Sequence, residues 1–320
     1  MKTLLLILLW PCMIVAQTSY PSLTIPISSG AMAMGGQPYN IASSAHLEHS
    51  QEATLFYTPY LAGISPDIKF IHADYKKDIS GNSALGIAVG YLNLGNTIVK
   101  DDYGASIASF KSDEYNIGAS YALQIIDGGS LGATLRFVGS QAAAYQQAGS
   151  YSVSIKSKST VCGDLGYMQR LGIGDDNSLR LGAYVSNLGA KDAQLPTVAG
   201  ISVGYEMSSD AGGNRLEGQL TAEQPLFSGS NFSNLRVMAG LEYGFTDQFF
   251  LRGGLSLENK LKGDRKYFSL GVGFKGAVKD DHWGIDFHYL VPFGVVPSES
   301  PFQNSYGLGL FIGIGSNTQQ

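Results

Sequence analysis

Large apolar residues alternate with small or polar residues along most of this chain. Between positions 281 and 291, every second residue from Trp283 to Val291 is large and apolar, and small or polar residues such as Gly284 and Asp286 fall between them. Successive side chains of a β-strand point to opposite faces. The pattern therefore predicts a strand with one apolar face and one face that is small or polar.

The same alternation recurs along the chain in about fourteen segments, each close to the ten residues that cross a membrane as a strand. They lie near 53–60, 67–76, 83–99, 114–124, 130–143, 158–171, 177–189, 198–208, 214–225, 233–245, 248–257, 266–277, 281–291 and 304–315. This predicts an all-β protein. Alternation alone fits a soluble β-sandwich as well as a membrane barrel.

The connections between these segments separate the two architectures, because tight and long connections take turns along the chain. The tight ones are at 127–129, 174–177, 211–214, 246–248 and 279–281. The long ones are at 100–113, 144–157, 226–232, 259–264 and 292–303. Short periplasmic turns opposite long outer loops are typical of outer-membrane barrels. We therefore expect a transmembrane antiparallel β-barrel of about fourteen strands, residues 51–320, with both termini in the periplasm.

The first fifty residues do not alternate. Lys2 and the apolar run from Leu4 to Trp10, followed by Ala16, predict a signal peptide over residues 1–16. Residues 17–50 contain breakers and small residues but few charges, which favours a compact plug packed inside the barrel. A disordered periplasmic tail is the alternative. The candidate plug residues are Pro26, Met32, Met34, Gly35 and Gly36.

Composition narrows the function classes. Charged residues make up only 15% of the chain, against about 25% in typical domains, and no basic patch indicates nucleic acid as a partner. No HExxH, GxSxG or Cys-His spacing is present. His46 and His49 are close in sequence, but a solvated turn explains them better than a metal site. We expect no catalytic residues, no metal and no cofactor, and hence not an enzyme.

Charged residues also fall on the polar faces of the predicted strands. They are Arg136, Asp164, Arg180, Glu206, Glu217, Glu223, Arg236, Glu242, Arg252, Glu258, Lys275 and Asp286. Buried charges are costly unless they pair or meet water. Because both signs are interspersed, an ion-pair network is favoured over a polar conduit.

The C-terminal half resembles a known family. The stretches "GLEYGFTDQFFLRGGLSLENKLKGDRKYFSLGVGFKG" (240–276), "DFHYLVPF" (286–293) and "PFQNS" (301–305) resemble the closing strands of the PorV family of the type IX secretion system in Bacteroidetes-type bacteria. Residues 184–206 and 57–68 resemble its middle and first hairpin, and residues 101–125 resemble the sister PorQ proteins. The segments 26–36 and 43–53 depart from the family pattern.

This resemblance implies a FadL-like barrel of fourteen strands in the outer membrane, in contact with its lipid. It also implies three partners: a very large translocon barrel, secreted cargo recognised through its C-terminal signal domain, and a cell-surface sortase complex. The candidate partner-binding loop contains Phe293, Val295, Val296 and Phe302, although loop aromatics also suit a lipid-interface girdle. The alternative functions are a FadL-type transporter of hydrophobic small molecules and, with less support, an enzyme acting on lipid.

Overall fold

The protein is described by a computed structural model that covers residues 20–61, 65–100, 106–148, 150–174, 176–209, 213–226, 235–258, 266–294, 302–303 and 305–316. The predicted signal peptide, together with Val295 and Val296 of the candidate loop, lies outside these described residues. No helix in the described part of the chain is long and apolar enough to span a membrane.

Fourteen strands account for most of the described chain. They are β1 (His49–Thr58), β2 (Lys69–Asp78), β3 (Ser83–Lys100), β4 (Ser106–Ile126), β5 (Gly129–Ala148), β6 (Ser150–Ile173), β7 (Asn177–Gly189), β8 (Val198–Ser209), β9 (Asn214–Pro225), β10 (Arg236–Phe245), β11 (Phe249–Leu257), β12 (Tyr267–Val278), β13 (Asp281–Pro292) and β14 (Tyr306–Ser316). One α-helix, α1 (Ser29–Ala33), and 3-10 turns at Pro21–Thr24, Ile41–His46 and Lys191–Ala193 complete the secondary structure.

The strands close into an antiparallel barrel in which sequence neighbours pair throughout and β1 pairs with β14. Closure satisfies the main-chain hydrogen bonds without leaving a sheet edge in the membrane. The predicted all-β barrel is therefore confirmed, with the expected number of strands.

The two faces of the wall follow the alternation. Outward positions are large, apolar and exposed, as at Leu135 (65%), Ile201 (65%) and Leu270 (60%). Inward neighbours are small or polar and buried, as at Ser269 (1%). This inverts the arrangement of a soluble protein and matches a wall that faces lipid.

Six short connections lie at the end of the barrel where β1 begins and β14 ends; they join β2 to β3, β4 to β5, β6 to β7, β8 to β9, β10 to β11 and β12 to β13. We call this the terminal end, and the opposite end the far end. Several hairpins at the terminal end use backbone with positive φ, including Gly128 (64°), Gly174 (71°) and Asp247 (52°). Positive φ matches the twist of tight antiparallel hairpins, so these turns hold the strands in register.

Two predicted long loops are largely strand, which corrects the expectation for 100–113 and 144–157. Strands β3 to β6 contain 18, 21, 20 and 24 residues, whereas a transmembrane strand needs about 9–11. The extra residues project beyond the far end. There β5 and β6 still pair with each other, although the pairing of β5 with β4 has ended at Gln141 and that of β6 with β7 at Cys162.

Candidate functional site

The interior of the barrel is occupied by the chain's own N-terminal residues. Residues 20–48, which we call the inner segment, run from Tyr20 along the inside of the wall to the start of β1. Helix α1 packs against β11 to β14, and the 3-10 turn at Ile41–His46 packs against β3 to β6. The inner segment therefore bridges opposite sides of the lumen.

Glycines on the inner face of the wall make room for this segment. A Cβ at Gly254 would overlap the main chain of Gly35, and one at Gly240 would lie 2.5 Å from the carbonyl oxygen of Met34. Gly35 itself has φ +88° and approaches the main chain of β10 and β11. Glycine is needed where two backbones meet this closely. The inner-face glycines of the strands, Gly240 and Gly254 among them, thus form the surface on which the inner segment packs, and we call this surface the glycine seat.

Hydrogen bonds fix the segment to the seat around helix α1. Ser29 Oγ lies 2.9 Å from His288 Nδ1. Ser269 Oγ accepts from the Gly35 amide at 2.9 Å and donates to the Ala33 carbonyl at 2.8 Å. These buried polar groups satisfy one another away from water, which holds α1 in one position.

Similar bonds hold the rest of the segment to the wall. The Ser22 amide donates to Glu114 Oε2 at 2.9 Å, and Asn40 Nδ2 donates to the Tyr167 carbonyl at 2.9 Å. Thr221 Oγ1 donates to Gln37 Oε1 at 2.6 Å. Burial lowers the pKa of His46, and the positive charge of Arg170 lowers it further, so this imidazole is neutral near pH 7.

The candidate plug residues all lie inside the barrel. Met32 (2% exposed) and Met34 (7%) are buried, Gly36 has φ +77°, and Pro26 lines an internal cavity. None of the anchoring residues on the wall, such as Ser269 and His288, was a candidate from the sequence. Their signal would have been the small and polar faces opposite the apolar alternation.

An apolar core closes the interior near the far end. Its buried members are Ile25, Met32, Phe56, Ile68, Phe70, Leu92, Tyr267, Leu290 and Phe302. Tyr60 and Leu61 from the β1–β2 connection pack against it. The core joins the inner segment, the wall and two far-end connections, so this part of the lumen is packed rather than open.

Phe302 is a correction to the candidate partner-binding loop. Its side chain is only 4% exposed, and its ring centroid lies 5.5 Å from that of Tyr267 and 6.0 Å from that of Tyr60. A ring buried in the apolar core cannot touch a partner outside. Phe293 is half-buried with its ring 4.6 Å from Phe268 on the lipid-facing wall, a position that suits the interface girdle.

The charged residues of the lumen form cross-strand pairs. Glu242 lies between Arg215 and Arg252, at 2.5 Å from each, and Arg252 also pairs with Asp286. Further cross-strand pairs are Arg136–Asp164, Arg180–Glu217, Arg236–Glu223 and the longer contacts of Glu206 with Arg170 and Arg215, and Lys275 pairs with Glu48 of the inner segment. Charges of both signs are thereby neutralised locally, as expected of a rigidifying network.

A cavity of about 180 Å³ remains between the inner segment and the wall. Leu23, Ile25 and Phe70 line it with apolar surface, and His72 and Ser22 contribute polar groups. Ser22 Oγ has no hydrogen-bond partner within the described residues, and His72 Nε2 lies 3.7 Å from Asp74 Oδ2. Among those residues no three His, Cys, Asp or Glu side chains are placed to hold a metal ion.

Comparison with known proteins identifies the family. The model of the type IX secretion system protein PorV matches residues 17–193, more than half of the 320-residue chain. The chain belongs to the PorV family. PorV-family membership and the lipid-facing barrel together place the protein in the outer membrane as a type IX secretion component. No curated protein sequence matches it.

Several solved structures share the fold. The toluene transporter TbuX of Ralstonia pickettii aligns with a TM-score of 0.54 at 12% identity, over 90% of this chain and 97% of its own. The toluene transporter TodX of P. putida gives 0.51 at 10% identity, over 90% and 98%. The monoaromatic hydrocarbon channel CymD gives 0.50 at 11% identity, over 90% and 96%. At these identities the likeness extends to the barrel alone, and the expected FadL-like architecture is confirmed.

Proposed function

We propose that this PorV-family barrel docks to the large translocon barrel, receives secreted cargo through its C-terminal signal domain, and passes it to the cell-surface sortase complex. The observation that carries the proposal is the filled interior. The inner segment sits on a glycine seat, and the apolar core around Met32, Phe302 and Tyr267 packs the lumen near the far end. The barrel's free surfaces are then its lipid-facing wall and its two ends.

The lipid-facing wall and the far-end connections suit protein contact in a crowded secretion complex. The wall presents apolar belt residues that could face either lipid or the translocon, and the far end carries the projecting hairpins of β3 to β6. We propose that both termini are periplasmic, which puts the projecting hairpins at the cell surface, where cargo emerges.

A transporter of hydrophobic small molecules is the second candidate. The cavity of about 180 Å³ beside the inner segment favours it, as do the structural relatives named as toluene transporters. Such a transporter would require the inner segment to move, because that segment and the apolar core fill the path through the lumen.

A reversible lock on the inner segment tests the two candidates against each other. A Cβ at Gly309 would lie 3.1 Å from Ser29 Cβ, a few tenths of an ångström short of the usual disulfide range of about 3.5–4.5 Å. We would place Ser29→Cys and Gly309→Cys in a Cys162→Ser background, because Cys162 is the free thiol of the described chain. Ser29→Cys alone is the control.

The expected result is unchanged release of cargo into the medium by the locked barrel, whereas deletion of the whole chain traps cargo in the cell envelope. Docking surfaces outside the barrel do not depend on movement of α1. Uptake of a hydrophobic nutrient that is lost in the locked protein and restored by reductant, with normal cargo release in the deletion strain, would replace docking with transport.

A further inference from the structure

Strand β6 has a longer unpaired edge than β4 and β5, whose edges toward each other are unpaired over 106–112 and 142–148. β6 pairs with β5 along its whole length, from Ala148↔Ser150 to Gly129↔Gln169. Its pairing with β7 begins only at Cys162↔Gly189. Residues 150–161 of β6 therefore have a strand neighbour on one side only, among the residues that the structure describes.

This edge lies outside the membrane. The outward residues of β6 are apolar and exposed at Leu165 (57%) and Val161 (51%). Beyond them, Ser157, Lys158 and Ser159 are exposed in succession, so both faces of the strand meet water. A run of polar, two-sided exposure cannot be part of a lipid-facing wall. The edge projects from the far end as half of a β-hairpin.

A free edge offers a row of main-chain N–H and C=O groups to any extended chain. Natural proteins usually shorten such edges, interrupt them with proline, or place charged side chains on them, lysine above all, which discourage pairing with uncharged or like-charged strands. The stretch "SYSVSIKSKSTV" (150–161) is long and contains no proline. It does contain two lysines, Lys156 and Lys158, which share one face because side chains repeat every two residues.

The lysine face has no acidic counterpart within the hairpin. The β5 residues directly opposite Lys156 and Lys158 are Ala142 and Ser140. Opposite charges on directly paired positions stabilise a sheet, and like charges destabilise it. The free side of β6 would therefore favour a strand with carboxylates at every second position. A second copy of the same edge would set lysine against lysine.

We propose that the edge of β6 over residues 150–161 accepts an extended segment of a protein partner as an added strand, with acidic side chains on its lysine face. Main-chain hydrogen bonds supply the attachment, and the charge pattern selects the partner. The inference rests on the proposed docking function, which it deepens by assigning a surface and a partner chemistry.

Two synthetic peptides test the charge pattern on the intact barrel in lipid nanodiscs. Both have eleven residues in which valine alternates with threonine. In the acidic peptide three glutamates replace residues at every second position, and in the basic peptide three lysines replace the same residues. Fluorescence anisotropy should give at least tenfold tighter binding of the acidic peptide. The double variant Lys156→Glu/Lys158→Glu should reverse the preference. Equal binding of both peptides, or no change in the double variant, would overturn the proposal.

Disulfide trapping tests whether the peptide adds as a strand. Ser157→Cys, Lys158→Cys and Ser159→Cys, each made alone in the Cys162→Ser background, are oxidised with an acidic peptide that has one central cysteine. Because neighbouring side chains of a strand point to opposite faces, crosslinks should form at 157 and 159 or at 158, but not at all three. Uniform crosslinking would indicate a loose electrostatic contact and refute strand addition.

Failure of this inference can be told apart from failure of the docking function. If neither peptide binds but deletion of the chain still traps cargo, the docking role stands and uses another surface. If the deletion strain releases cargo normally, docking itself is wrong whatever the peptides do.

Discussion

Single glycines decide whether the inner segment fits, because the segment and the wall meet through their backbones. Gly254→Ala places a methyl group against the main chain of Met34 and Gly35. Overpacking of this kind costs about 1–3 kcal/mol. We expect Gly254→Ala to displace the inner segment, measured as faster proteolysis of residues 20–48 and a lower urea midpoint of unfolding.

The neighbouring residue provides the control. A Cβ at Gly253 meets nothing within 4 Å, since this position faces outward. Gly253→Ala should therefore leave both the protease pattern and the midpoint unchanged. Equal effects of the two substitutions would mean that a general weakening of β11, rather than a lost seat, is responsible.

Glu242 is the residue on which the charge network depends most. It is 6% exposed and accepts hydrogen bonds from Arg215 and Arg252. Glu242→Gln removes a counter-charge from Arg252, whose side chain is 10% exposed, and from the half-buried Arg215; breaking a buried pair costs up to about 3–5 kcal/mol. We expect a large loss in the free energy of unfolding, measured by urea titration with heat-modifiable gel mobility.

Glu206 is the matched control within the same network. Its carboxylate contacts Arg170 and Arg215 only at 3.9 Å, and Arg170 is 46% exposed. Exposed pairs contribute at most about 1 kcal/mol, so Glu206→Gln should be mild. A loss at Glu206 as large as that at Glu242 would contradict the assignment of Glu242 as the centre of the network.

Strands and their faces could be predicted from the sequence wherever an apolar belt constrains one face. Tyr267–Val278 and Asp281–Pro292 lie within a residue or two of their predicted limits. The far halves of β4, β5 and β6 could not be predicted, because residues outside the membrane need no apolar face. Phe302 was misplaced for a related reason, since burial of a loop residue depends on distant partners such as Met32 and Tyr60.

The faces of β12 give a prediction for a whole strand. Leu270 is exposed at 60% near the middle of the strand, and Leu270→Arg should cost about 2–4 kcal/mol at the bilayer midplane. Ser269, the inward neighbour, is not a suitable control because its hydroxyl holds the inner segment. Gln219→Arg, at a half-buried position on the inner face of β9, is a better control for Leu270→Arg.

Barrel folding in lipid, followed by heat-modifiable gel mobility, measures both variants. Arginine at 219 can reach water or the acidic groups of the lumen, so this variant should fold with near-native yield. Equal yields for the arginine variants at 219 and 270 would mean that the outward face of β12 does not meet lipid.

At the scale of the whole molecule, the parts that stabilise the barrel are separate from the strands that project beyond it. The ion pairs and the inner segment make a rigid barrel, and the belt holds it in the membrane. The four long strands, β3 to β6, raise one side of the wall above the far end. The proposed contacts with other proteins then fall at the far end and on the lipid-facing wall, and the orientation of the barrel decides which side of the membrane they face.

The orientation can be read from two accessible tags in intact cells. A tag within Ala144–Ser157 lies on the projecting β5–β6 hairpin, and a tag beside Asp176 lies in a tight turn at the terminal end. An exported chain with an even number of strands has both ends on one side, and short turns face the periplasm in such barrels. We expect antibody labelling of intact cells at the hairpin tag only, with the turn tag labelled after the outer membrane is permeabilised. Labelling of the turn tag alone in intact cells would invert the barrel and remove the projecting hairpin from the cell surface. Heat-modifiable mobility of both tagged proteins must match that of the untagged barrel, so that a misfolded chain is not mistaken for an inverted one.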